Sequence, residues 1–372
     1  MESFKFGHAS TKEWQEAAQT CLIQMGDTSS ANLGFLYITD FFAENGPDIL
    51  DYFKQHTNVS HWVGGVGTGI CSQAKEYFNV PAIAVMLGHF PPDSFAVFTT
   101  ITEDFEEFSR THKSWCSDNE AMFAIVHGDP RNNYIANLVL QMSTRLGEGF
   151  LVGGLTSSRR KHFQIADGVI EGGLSGVLFS SEVNVFTRLT QGCSAIGPRH
   201  QVTESSNNII IRIDDRPALD IFKEDIGKEL ANDLQRIAGY IFAALPIRGS
   251  DTGDYMVRNL IGIDPEHKLL AVGDLINPGM PIMFTRRDAK AAKENLVNML
   301  NVIKKRLNGK QPKGGIYHSC VGRSENLFGK DSAELKIIAE VLGDFPLVGF
   351  FANGEIYHQR LYGYTGILTL FL

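Results

Sequence analysis

Val63-Gly64-Gly65-Val66-Gly67-Thr68-Gly69 decides how this chain is read, because its opening returns twice. Val152-Gly153-Gly154 repeats it closely and Val348-Gly349-Phe350 repeats it loosely. Each copy follows a stretch of helical periodicity. Each leads into a turn rich in Thr, Ser, Asn or Gly: Thr68-Gly69, Thr156-Ser157 and Asn353-Gly354. After a gap comes an apolar strand: Ala82 to Leu87, Leu174 to Phe179 and Gly366 to Phe371. Internal repetition changes how a Gly-rich segment is understood. Taken alone, Gly64 to Gly69 looks like a phosphate loop. A dinucleotide fingerprint, however, needs a strand, then G-x-G-x-x-G, then a helix opening at the phosphate. Here the spacing is wrong, and the copy at Gly153 lacks the later glycines. The segment reads as a tight strand-to-strand turn whose backbone runs close to a neighbour.

Outward from these copies the order strand, helix, strand, helix, Val-Gly strand, strand occurs three times. The first unit opens with a strand at Ser3 to His8 and a capping box of Ser10 and Glu13, which predicts a helix with Trp14, Ala17, Cys21 and Met25 on one face. The second opens at Phe95 to Thr100, and its second helix stops at Gly147, a left-handed cap. The third opens at Pro281 to Thr285 and carries the strongest helical stripe, Ala292 to Leu307. A different block, Glu182 to Gly279, lies between the second and third units. It holds strand-like pieces at Val183 to Leu189 and Ile209 to Ile213, then a long helix from about Pro217 to Leu245. That helix suggests two domains, 1–216 and 217–372. Strand pairs adjacent in sequence predict an α+β fold of antiparallel sheets stacked as a sandwich, with helices outside.

The 372 residues are 43% hydrophobic and 20% charged, enough for one large or two ordinary domains. A net charge of −8 argues against a nucleic-acid partner, which needs clustered Lys and Arg. The one basic run, Arg159-Arg160-Lys161, reads as a solvated turn. Five cysteines without a C-x-x-C pair indicate a reduced compartment, neither a disulfide framework nor a zinc site. No apolar run reaches the roughly 18 residues of a membrane span, and the start resembles no signal peptide. A cytoplasmic, non-membrane protein is expected.

No pattern for catalysis emerges. A G-x-S-x-G elbow is missing, as is H-E-x-x-H, and the adjacent Asp214 and Asp215 flank a turn. Most of the 11 histidines have bland explanations. His318, inside an apolar strand, and His112, on an aromatic stripe, read as hydrogen-bonded core or edge residues. His127, His267 and His358, at strand ends or turns, read as surface. His200 differs. It follows the irregular Gly192 to Pro198 and adjoins Arg199. An imidazole with a neighbouring arginine supplies two elements of a haem pocket, an axial ligand and a partner for propionates; from the residues alone, a solvated loop histidine is the more ordinary reading.

The segments Gly192-Cys193-Ser194-Ala195-Ile196-Gly197-Pro198, Val202-Thr203 and Arg216-Pro217-Ala218-Leu219-Asp220 resemble the end of the N-terminal domain of FIST proteins. Val272-Gly273-Asp274, Phe328-Gly329, Pro346 to Ile356 and Gly363-Tyr364-Thr365-Gly366 resemble the FIST C-terminal domain. The resemblance implies an intracellular, non-enzymatic sensor that binds a small ligand. Its output would go to a separate partner, a histidine kinase or a cyclic-di-GMP enzyme, and a homodimer is compatible with it. His61-Trp62-Val63-Gly64, Glu76-Tyr77-Phe78 and Pro81 to Met86 look like the haem-binding, nitric-oxide-sensing branch. That likeness implies haem b with His200 as iron ligand and Arg199 beside it, detecting nitric oxide. Two alternatives stand next to it. One is a sensor of an organic metabolite such as an amino acid, with a pocket at Gly64, Gly65, Gly153, Gly154, Asn353 and Glu355. The other is a hydrolase-like enzyme.

Overall fold

A computed structural model describes residues 3–147, 149–247 and 254–372. The chain forms two compact units, one of Met1–Thr190 with Lys293–Leu372, the other of Gln191–Ala292.

The larger unit holds three six-stranded sheets, each built on one parallel pair. Leu33–Thr39 runs parallel to His61–Gly67, Ala121–Gly128 to Phe150–Leu155, and Gly314–Cys320 to Leu347–Ala352. Parallel neighbours need a crossover, and helices Gly46–Thr57, Ile135–Arg145 and Ala333–Leu342 supply it in turn. Ile83–Gly88, Leu174–Ser180 and Thr365–Phe371 then pair antiparallel with the first strand of each pair. The fold is a mixture of helices with mixed sheets, where the sequence suggested antiparallel ones. The reason is burial. Leu33–Thr39, Gly314–Cys320 and Leu347–Ala352 are buried at every residue. Strands covered on both faces lose the alternation that marks a one-sided antiparallel sheet.

The repeated glycines lie within strands, not at turns. Gly64 faces Leu36 across the first pair, Gly153 faces Val126 across the second, and Gly349 faces Tyr317 across the third. A Cβ on Gly64 would stand 1.9 Å from the Leu36 carbonyl oxygen, and on Gly153 1.9 Å from that of Val126. On Gly349 it would stand 1.8 Å from the Tyr317 oxygen. The close backbone approach read from the sequence is present, but it occurs inside the sheet.

Each Val-Gly strand is followed by a hairpin that leaves its own sheet. Gly69–Ser72 and Lys75–Phe78 extend the third sheet at Leu347–Ala352. Glu355–Tyr357 and Arg360–Tyr362 extend the second at Phe150–Leu155. Gln164–Ala166 and Val169–Ile170 extend the first at His61–Gly67. The exchange runs from first to third, third to second and second to first, a closed ring. It covers one edge of each parallel pair that would otherwise present unpaired backbone groups. The inner faces of all three sheets share one apolar core, with Phe35, Val63, Ile125, Val152, Ile316 and Val348 among its members.

Three local expectations are corrected. Ser10 donates its hydroxyl to the Pro81 carbonyl at 2.7 Å, so it does not cap the helix, which spans Trp14–Met25. The strand Pro281–Arg287 lies in the smaller unit, between Cys193–Ser206 and Ile241–Pro246. It is expected to open the third unit; in the third sheet the strand beside Thr365–Phe371 is Val185–Gln191. The smaller unit is thus inserted in the chain after the edge strand Val185–Gln191, and the chain re-enters the larger unit within helix Ala289–Leu307. Which of two apolar segments makes a long-range pair is not written in local pattern. Finally, the long helix ends early, at Ala231. Gly227 (φ 81°, ψ 160°) breaks its course, and the apolar run from Ile241 forms a buried strand instead.

In the smaller unit Cys193–Ser206 pairs antiparallel with both Pro281–Arg287 and Ile209–Ile213. The sheet thereby closes on itself through Ile241–Pro246, Tyr255–Asp264 and Leu269–Val272. Helix Ala218–Ala231 contributes Leu219, Phe222 and Ile226 to the core of this barrel.

Candidate functional site

Along each parallel pair of the larger unit the buried inward positions are apolar until one level near the C-terminal ends of the strands. There Tyr37 stands opposite Gly65, His127 opposite Gly154, and His318 opposite Phe350. The three pairs thus place a polar ring at the same register position. Directly paired residues share a face of the sheet. The level therefore extends to Gln164 beside Gly65, Ser175 beside His127 and Glu355 beside Gly154. All of these residues are buried.

The rings form a tight group. Tyr37 and Phe350 stack with centroids 5.3 Å apart, and the His127 and His318 centroids are 5.9 Å apart. His318 meets the edge of Phe350 at 5.5 Å. The Tyr37 hydroxyl and His127 Nε2 are hydrogen-bonded at 3.1 Å. Nδ1 of His127, both ring nitrogens of His318, both amide atoms of Gln164 and the Ser175 hydroxyl are buried without a hydrogen-bond partner. Buried polar groups are nearly always paired, with protein or with water. Leaving one unpaired costs about 1–3 kcal/mol. So many at a single level mark it as different from the rest of the core.

Burial fixes the protonation of these groups. It pulls His127 down to about 3 and His318 well below the usual imidazole range, helped there by His127. Both rings are neutral at pH 7. Burial pushes Glu355 up to about 8, against hydrogen bonds from the Thr365 hydroxyl and amide, the Arg323 charge and the Cys320 thiol. Arg323 itself is committed to Glu334, with contacts of 2.8 Å from Nε and 2.6 Å from Nη2, both side chains being inaccessible to solvent.

Just beyond this level the strand ends are laced together. Ser157 donates to the Phe351 carbonyl at 2.5 Å and accepts from the Thr68 amide at 2.9 Å. Thr156 Oγ1 lies 3.1 Å from His162 Nδ1. Two buried carboxylates follow, each clamped by a half-exposed arginine: Asp40 by Arg159 and Asp129 by Arg131, at 2.9 and 2.6 Å. Both stay charged, because the arginine outweighs the burial that would raise them.

The residues proposed from sequence are distributed unevenly over this geometry. Gly65, Gly154 and Glu355 belong to the polar level. Gly64 and Gly153 turn to the opposite face, against neighbouring backbone, and Asn353 is exposed, its amide donating to the Leu155 carbonyl at 2.9 Å. His127, expected at the surface, is fully buried, since its strand runs on to Gly128 and its ring lies against Tyr37, His318 and Phe350. His318 is a core residue as expected, but without the expected hydrogen bonds. Tyr37, Gln164 and Ser175 were not singled out. The available signal was positional: Tyr37, His127 and His318 follow Leu36, Val126 and Tyr317, the residues that face the repeated glycines.

His200 and Arg199 lie in the smaller unit. Nδ1 of His200 is 2.6 Å from Asp214 and Nε2 is 3.0 Å from Asp225. Burial lowers its pKa, yet the two carboxylates outweigh this and the net direction is up. An axial ligand to haem must be a neutral imidazole with a free nitrogen. In this arrangement both nitrogens are taken and the ring is held toward its charged form, and Arg199 is exposed. These residues do not fit the iron-ligand role implied by the resemblance. Among the described residues no group of His, Cys, Asp or Glu is arranged to hold a metal, and no helix is long and apolar enough to cross a membrane.

Residues 32–216 match the family described as the FIST N domain, and residues 218–358 match the FIST C domain. The two matches abut inside the smaller compact unit, at the start of helix Ala218–Ala231. The chain is also similar to a protein of Mycobacterium tuberculosis described only as uncharacterized, 29% identical over 348 residues, covering 87% of each chain. An uncharacterized protein of Mycobacterium bovis is 29% identical over 390 residues, covering 98% of each. FIST domains are sensory domains for small ligands. With both domain matches in order along one chain, the protein belongs to the FIST family.

Proposed function

We propose that this chain is a non-enzymatic sensor whose small ligand is recognised at the polar level formed by Tyr37, His127, Gln164, Ser175, His318 and Glu355. The observation that carries this reading is the concentration of unpaired, buried polar atoms on that level. A core that served stability alone would do better with apolar side chains there. Polar groups in a binding site pair with the ligand and fix its orientation, and buried polar atoms that the protein leaves unpaired call for such a partner. In this reading the signal passes to a separate partner, such as a histidine kinase or a cyclic-di-GMP enzyme.

A thermal-shift screen of the full chain against small metabolites tests the proposal, since a ligand bound to the folded state raises the melting temperature. A shift that is lost in His318→Phe and Gln164→Leu, with both variants folded, supports it. A shift untouched by either substitution overturns the site. The haem reading has its own test in the absorption spectrum of protein from haem-supplied cells. A Soret band that vanishes in His200→Ala would favour haem sensing over the metabolite reading.

A further inference from the structure

We infer that the ligand is an uncharged small molecule presenting a hydrogen-bond donor next to an acceptor, as a cyclic amide or neutral nucleobase does, and not a zwitterion or an anion. This rests on the polar level being the ligand site.

The argument begins with what the level lacks. Its polar groups are a phenol, two imidazoles, an amide, a hydroxyl and a carboxyl, at Tyr37, His127 and His318, Gln164, Ser175 and Glu355. The two imidazoles face each other with no carboxylate bonded to either, so neither can hold a second proton in this setting. The cation that acts on Glu355 is Arg323, and its guanidinium is engaged with Glu334 and the Tyr364 carbonyl. The surface arginines 131 and 159 are likewise clamped to Asp129 and Asp40. An anionic group would leave water and meet no free cation, since these arginines are already paired. Moving a charge into such a site without a partner is far more costly than moving a neutral polar group. An amino acid would bring such a carboxylate.

What the level offers is a mixed set of donors and acceptors. A neutral imidazole has one of each, an amide has both, and a hydroxyl has both. On His318 and Gln164 all of these are unpaired, on two different sheets. A ligand that carries both a donor and an acceptor can satisfy groups of this mixed kind, whereas a pure acceptor such as a carboxylate would leave acceptors facing acceptors. Glu355 adds a pH dependence. As the neutral acid it can donate; once ionised, with Thr365, Cys320 and Arg323 its surroundings, it adds an uncompensated acceptor.

Calorimetric titration of the full chain with matched probes tests the class: uracil, hypoxanthine and nicotinamide against orotate, nicotinate and glutamine. At least one neutral probe should bind, with its charged counterpart at least about tenfold weaker, a gap of about 1.4 kcal/mol. That binding should weaken about tenfold in Gln164→Leu, with Ser175→Ala as the milder variant if folding suffers. It should also fade as the pH rises through about 8, except in Glu355→Gln. Charged probes binding as tightly as neutral ones, and still sensitive to Gln164→Leu, overturn the class but keep the site. Neutral binding unaffected by Gln164→Leu and His318→Phe overturns the site. No binding by any neutral probe overturns the class.

Discussion

His127 and His318 face each other with ring centroids 5.9 Å apart, wholly buried, and three of their four ring nitrogens have no hydrogen-bond partner. They come from two different sheets and occupy the same register position in each. Neither residue is explained by packing alone. Phenylalanine would fill the same space without the desolvation cost.

That comparison gives the first prediction. His318→Phe is expected to leave the fold as stable as the parent or more so, by up to about 1–3 kcal/mol, because it removes unpaired polar atoms. Urea unfolding of the two proteins measures the difference. A loss of several kcal/mol would show that His318 has stabilising partners in solution.

The glycines of the repeated motif should be intolerant in a graded way. Gly64→Ala and Gly153→Ala each place a methyl 1.9 Å from a backbone oxygen that cannot move without parting the strands. Gly65→Ala meets its nearest atom at 3.1 Å. The first two should cost more than about 4 kcal/mol, the range reserved for severe mechanisms, and the third about 1–3 kcal/mol, typical of overpacking. Expression level and denaturation midpoint rank the three variants.

Arg323 and Glu334 form an ion pair with no solvent contact, reinforced by the Tyr317 hydroxyl at 2.6 Å and the Ser319 hydroxyl at 3.1 Å. Arg323→Met alone leaves a buried carboxylate without its cation and should cost about 3–5 kcal/mol. The double change Arg323→Met with Glu334→Leu should recover most of that loss, since apolar replacement of a whole buried pair is often neutral. A double variant no better than the single one would contradict this account.

His200 predicts a pH dependence of stability. Its folded-state pKa is raised above the ordinary 6.5, after the carboxylates of Asp214 and Asp225 overcome the effect of burial. The folded chain then binds the proton more tightly than the unfolded one. Its stabilising contribution is fully present below pH 6.5 and is lost as the pH rises through the higher, folded value. Asp225, raised by its own burial, shifts in the same sense. Denaturation midpoints between pH 6 and 9 should therefore fall more in the parent than in His200→Gln. Parallel curves would show that the ring is neutral throughout.

Much of the fold was legible. Helices and strands recurring around Val63-Gly64-Gly65 and its copies correspond to elements at those places, because amphipathic periodicity and glycine placement are local. Long-range choices were not legible. Nothing near Val185 or Pro281 tells which strand lies beside Thr365–Phe371, and nothing in the Gly69–Ser72 segment tells that it joins a different sheet. The candidate site was half visible. Gly65, Gly154 and Glu355 were reached through the repeat, while Tyr37, Gln164 and Ser175 are ordinary strand residues until three sheets bring them to one level. His200 attracted attention through its irregular, Pro-containing surroundings. Its partners Asp214 and Asp225 lie on a separate turn and helix, so the occupation of both its nitrogens could not be read in sequence.

The most direct test of the central claim is nitrogen NMR of the protein labelled with ¹⁵N-histidine, recorded with and without the tightest-binding ligand. The account predicts that the ring nitrogens of His127 and His318 report neutral imidazoles in the free protein and shift on saturation, while those of His200 and His267 do not. Unchanged His127 and His318 signals at full ligand occupancy would contradict it.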